Sequence, residues 1–142
     1  MLANFSFWIW GVIITQVLTA AAHSMSFIAK PKPKNEKEVQ LIDLMGNYKM
    51  DMGGGIKRSF KYIFIGVSIC YTFIYIFGAM LNWFFLKPQT ESGIWEGILL
   101  IQLIIFGIVL LFQMRFTFWP PIIVSGLVFI FLLGSYLTVV LK

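Results

Sequence analysis

Residues Tyr62 to Leu86 read YIFIGVSICYTFIYIFGAMLNWFFL, 25 residues without a single Asp, Glu, Lys or Arg. A helix rises about 1.5 Å per residue, so about 20 such residues cross the hydrocarbon core of a bilayer. Apolar and polar residues do not alternate here, as they would in a lipid-facing barrel strand. In lipid the backbone has to satisfy its own hydrogen bonds, which leaves the α-helix. Working outward, Phe5–Ile28, Ile94–Met114 and Pro120–Leu141 are equally apolar and long enough to span. The expected fold class is all-α: a membrane four-helix bundle with spans at about 5–28, 62–86, 94–114 and 120–141, forming a single membrane domain over 1–142.

Composition agrees. Of 142 residues, 59% are hydrophobic and 12% charged. A soluble domain carries about 25% charged residues. A chain this short buries only part of its surface when it folds in water, so its solvent has to be largely lipid. Met1 to Trp10 lacks Lys and Arg. The first span therefore misses the basic n-region of a cleavable signal peptide and is expected to be retained.

The joints between spans are polar or rich in proline. Lys30-Pro31-Lys32-Pro33-Lys34 closes the first span. Lys87-Pro88-Gln89-Thr90-Glu91-Ser92-Gly93 forms a turn between the second and third. Arg115 to Trp119 joins the last two, with Pro120 suited to a first helical turn. Basic residues are distributed unevenly across these joints. Lys30, Lys32, Lys34, Lys37, Lys49, Lys57, Arg58, Lys61 and Arg115 fall on one side, against Lys87 and Lys142 on the other. The positive-inside rule puts the first loop in the cytoplasm and both termini outside. Trp8, Trp10, Trp83 and Trp95 then mark the outer interface and Trp119 the inner one.

The loop between the first two spans holds the largest non-spanning segment. Asn35 and Glu38 have the spacing of a capping box. Leu41, Leu44, Met45, Tyr48 and Met52 follow at helical intervals. This predicts an amphipathic helix over about 35–52 on the membrane surface, ended by Gly53-Gly54-Gly55. Asp51 and Arg58 flank that glycine turn and are expected to pair. Lys57, Arg58 and Lys61 are candidates for holding lipid headgroups. The net charge of +5 is concentrated beside membrane spans, with no aromatic-interleaved basic surface on which bases would stack. Nucleic acid is therefore not an expected partner.

Few side chains suggest chemistry. His23 is the sole histidine and lies seven residues after Gln16, on the same helical face. Such residues serve either as ligand contacts or as interhelical hydrogen bonds. Tyr71, Tyr75, Gly78 and Asn82 share one face of the second span. Gln102 and Glu96 lie in the outer part of the third. Gly11, Thr15, Thr19, Ala22 and Ser26 form a small-residue stripe on the first span, which predicts close helix packing. Cys70 is the sole cysteine and is expected to be a buried apolar packing residue. Met50 and Met52 resemble a soft copper pair but also fit the apolar stripe, so no metal and no cofactor is expected. No Ser-His-Asp set, phosphate-binding glycine loop or HExxH motif occurs, and an enzyme is not expected.

His23, Tyr48, Asp51, Gly54, Arg58, Ser59, Phe60 and Gly66 follow a pattern of a His late in span one, Asp-x-x-Gly, then Arg-Ser-aromatic leading into span two. Over residues 10 to 70 the chain resembles a family of small bacterial four-helix membrane proteins, DoxX-like in size and layout. The resemblance implies a four-helix bundle and no settled activity. Lys61 and Tyr62 stand where that pattern tends to carry an acid.

Three functions compete at this level. An accessory or structural subunit, partnered by lipids and by other membrane subunits or copies of itself, fits the scarcity of soluble mass. A bundle holding an apolar ligand such as a quinone or lipid would use His23, Gln16, Tyr71, Tyr75 and Arg58. An oligomeric transporter or channel fits least, since no ring-forming charge lies deep in a span.

Overall fold

In the computed structural model, residues 4–28, 32–86 and 91–141 are described. The proline-rich joint at 29–31 and the turn residues 87–90 lie outside them. The four long helices are α1 (Phe5–Ile28), α3 (Phe60–Phe85), α4 (Ser92–Phe116) and α5 (Trp119–Val140). All four are long and apolar enough to cross a membrane. The chain is a multi-pass membrane protein with an all-α framework. Pro120 and Pro121 follow Trp119 at the start of α5, where the first helical N–H groups need no intrahelical partner.

The chain divides into two compact units, residues 1–20 with 74–142, and residues 21–73. The first contains parts of all four long helices and forms a helical bundle. Its buried face on α1 runs through Ile9, Val12, Ile13, Gln16, Thr19 and Ala20, and on α3 through Tyr75, Ala79 and Asn82. Both follow the spacing that puts every third or fourth residue on one side. Lipid is as apolar as leucine, so burial alone does not hold these helices together. Close packing and interhelical hydrogen bonds do. Gly134 of α5 illustrates the packing: a Cβ there would overlap the Trp8 ring of α1. Gly11 similarly receives the Phe131 ring. In the small-residue stripe, Gly11 and Thr15 are half-buried and Thr19 is buried, but Ala22 is exposed.

The second unit contains the late turns of α1, the helix α2 (Glu36–Asn47), a two-stranded antiparallel hairpin and the early turns of α3. Asn35 caps α2, its side-chain oxygen accepting from the Glu38 N–H at 2.9 Å. The Glu38 carboxylate reaches back to the Lys34 N–H at 2.6 Å. The amphipathic helix therefore starts as expected. It stops five residues earlier than expected, at Asn47 rather than Met52. Beyond it come β1 (Lys49–Asp51) and β2 (Lys57–Ser59), paired Lys49 with Ser59, Met50 with Arg58 and Asp51 with Lys57.

The correction has a local cause. Gly46 and Asn47, the last two residues of α2, are weak helix formers. Gly53, Gly54 and Gly55 all adopt positive φ, a run that reverses the chain and lets its flanks pair. Asp51 takes part in this turn: its carboxylate accepts from the Gly53 N–H at 2.8 Å. The predicted stripe is also divided. Met45 is half-buried, whereas Leu41 and Leu44 face outward. Cys70, expected to be buried, is exposed on α3.

Candidate functional site

Three clusters of polar side chains stand out, two in the first unit and one in the second. In the first unit, α1, α3 and α4 meet through three amides. Asn82 donates to Gln102 at 3.0 Å and to Gln16 at 3.2 Å. Gln102 donates back to the Asn82 carbonyl at 2.8 Å, and Gln16 donates to the Gln102 carbonyl at 3.2 Å. Gln16 and Asn82 are completely buried and Gln102 nearly so. An amide buried without partners costs about 1–3 kcal/mol, so this closed arrangement removes a large penalty. Gly78 makes room for it: a Cβ at that position would sit 2.6 Å from the Gln16 amide nitrogen.

The second cluster lies in the same bundle. The Tyr75 hydroxyl bonds the Ser125 hydroxyl at 2.7 Å, bridging α3 and α5. The Tyr75 ring meets Phe106 of α4 edge-on, with centroids 5.1 Å apart. Gln16 and Tyr75 therefore act as helix-to-helix connectors. Asn82 and Gln102 are the partners that make them so. Both were visible as polar residues in apolar spans, but nothing local marked them as neighbours of Gln16. Trp8 differs: its indole N–H is buried with no acceptor among the described residues, and its ring is fixed by packing against Gly134.

In the second unit His23 lies beside Tyr71, with ring centroids 4.8 Å apart, and beside Phe27 at 6.0 Å. The structure thus joins two of the residues singled out from sequence, His23 and Tyr71. Although Gln16 and His23 share a helical face, Gln16 is engaged by amides and His23 by aromatic rings.

The third cluster is basic. Lys49, Lys57, Arg58, Ser59 and Tyr62 line an open cleft of about 380 Å³. The hairpin register places Lys49 directly opposite Ser59. Asp51 and Arg58 do not form the expected pair. Asp51 is opposite Lys57 and caps the glycine turn, while the Arg58 guanidinium donates to the Lys57 carbonyl at 3.1 Å. Of the three headgroup candidates, Lys57 and Arg58 line the cleft and Lys61 is exposed outside it. Lys49, Ser59 and Tyr62 are the lining residues that sequence reasoning missed. Their convergence depends on the hairpin, which a continuous helix over 35–52 would not produce.

Ser59 immediately precedes the first residue of α3, the position where serine ordinarily caps a helix. Its side chain is only 2% exposed, yet its hydroxyl has no hydrogen-bond partner among the described residues. Among the described residues, no three His, Cys, Asp or Glu side chains gather as a metal-holding group. Comparison with protein-family models, with curated proteins and with solved structures finds no match to this chain. The fold defines the class, a helical membrane protein with four candidate spans, a further short helix and a hairpin.

Proposed function

We propose that this chain is an accessory or structural subunit of a larger complex in a bacterial inner membrane. The observation that carries this reading is the closed amide cluster of Gln16, Asn82 and Gln102. The polar groups placed deepest in the bundle are spent on one another, so they serve to fix helix positions. Tyr75 is used in the same way, on Ser125. Two residues that an apolar-ligand pocket would need are thereby committed to packing. Large apolar side chains such as Phe64, Phe77, Phe112 and Ile123 point outward, available to lipid or to neighbouring spans.

The partners in this reading are membrane lipids and other membrane subunits or further copies of this chain. The charge distribution supports a cytoplasmic hairpin with both termini on the far side. The DoxX-like resemblance is compatible with it and adds no activity. Purification of the full-length protein from native membranes in a mild detergent tests the proposal. Stable companions, or a defined homo-oligomer, are expected in a fixed ratio. A lone monomer under several mild detergents would overturn it.

A further inference from the structure

The hairpin cleft supports an inference separate from the subunit reading. We infer that Lys49, Lys57, Arg58, Ser59 and Tyr62, at the start of α3, form a binding site for a phosphate group.

Three observations converge on it. First, among the described residues the lining carries three cationic side chains and no acidic one. The nearest acid along the hairpin, Asp51, lies opposite Lys57 outside this lining and turns one carboxylate oxygen to the Gly53 N–H. Second, the cleft sits where β2 runs straight into α3, a helix of 26 residues. The first turn of a helix presents N–H groups without intrahelical partners, and the helix dipole favours an anion there. Third, Ser59 lines the cleft at this junction with a buried, unpartnered hydroxyl. A serine at that position would normally spend its oxygen on its own helix. A buried hydroxyl without a partner is costly, and a phosphate oxygen accepting from it would remove the cost.

The residue types suit the ligand. Arg58 offers a planar fork of donors, Lys49 and Lys57 offer compact charges, and Ser59 and Tyr62 offer hydroxyl donors. A phosphate brings acceptor oxygens and negative charge to match them. The cleft has the volume of a small-molecule site and is open on one side, so a headgroup or a free anion can enter. A phosphate can reach it either as part of an anionic lipid headgroup or as a soluble phosphate.

The test uses full-length protein in two arms. In one, native mass spectrometry follows retention of phosphatidylglycerol added to protein in detergent. In the other, phosphorus NMR line broadening follows inorganic phosphate added to protein in phosphatidylcholine nanodiscs. Binding in the first arm alone assigns a lipid headgroup, and binding in the second assigns a free phosphate. Either result supports the site, provided K57Q/R58Q weakens it at least about tenfold, the size expected for loss of charge-assisted hydrogen bonds.

S59A removes the hydroxyl with the smallest change in shape. It is expected to weaken binding about tenfold while the helical circular dichroism stays unchanged and the melting midpoint of the ligand-free protein rises, because the unpartnered hydroxyl is gone. K37Q/K61Q removes the same charge outside the cleft and is expected to have little effect. The inference is overturned if neither arm shows binding. It is equally overturned if S59A binds like the parent, or if K37Q/K61Q weakens binding as much as K57Q/R58Q does.

Discussion

The amide cluster of the bundle and the basic hairpin solve the problem of buried polar groups differently. Gln16, Asn82 and Gln102 are at most 5% exposed, and each amide bonds another. Ser59 is only 2% exposed and its hydroxyl bonds nothing among the described residues. In the bundle, charge-neutral amides bond one another across three helices. In the hairpin cleft, three cationic side chains line the same space as an unspent donor, an arrangement that an anion would complete. The first pattern serves structure, and the second suits recognition.

The comparison is sharpest where packing is tightest. Gly134→Leu would drive a side chain into the Trp8 ring and is expected to destabilise the bundle by about 3 kcal/mol. Unfolding in mixed micelles would show it, and an unchanged midpoint would mean that α1 and α5 move apart at little cost. Asn82→Leu comes next. It removes the residue that bonds both glutamines, and a loss of about 2 kcal/mol is expected because the Gln16 carbonyl and the Gln102 amide nitrogen lose their Asn82 partners. Replacing all three amides by Leu should cost less than Asn82→Leu alone, because no buried donor is then left unpaired. If the triple variant is the least stable, the cluster contributes attraction of its own rather than avoided penalty.

Smaller effects follow in both regions. Gly54→Ala forces a Cβ into a left-handed conformation and is expected to cost about 1 kcal/mol. Because the hairpin is a local element, the loss should appear as faster hydrogen exchange at Lys49–Asp51 and Lys57–Ser59. Tyr75→Phe removes the hydroxyl bonded to Ser125 and is expected to cost about 0.6 kcal/mol. Ser125 can turn its hydroxyl to a carbonyl of its own helix, which keeps the effect small. Lys57→Gln is expected to change unfolding by less than about 0.5 kcal/mol, since its side chain is exposed. A larger loss would make Lys57 structural and blur the contrast between the regions.

Particular residues show how far local reading extends. The capping of α2 by Asn35 was legible because a cap depends on residues a few positions apart. The hairpin is hidden in the sequence because Tyr48 and Met52 continue a helical spacing across the weak helix formers Gly46 and Asn47. Ser59 looked like part of a motif leading into span two, but its isolation depends on what lies opposite it. The partnership of Gln16 with Gln102 bridges 86 positions of sequence, and no spacing rule reaches that far.

Sequence alone determined that four helices cross a membrane, because a span is a local property: a run of apolar residues has to bond its own backbone in lipid. It also determined which flanks carry the positive charge. Tertiary structure decided which polar residues inside the spans meet, since helices packed in lipid are selected by shape and hydrogen bonding rather than by hydropathy. It also decided that Lys49 and Ser59 face each other across a turn of three positive-φ glycines. That pairing converts a run of basic residues into a cleft.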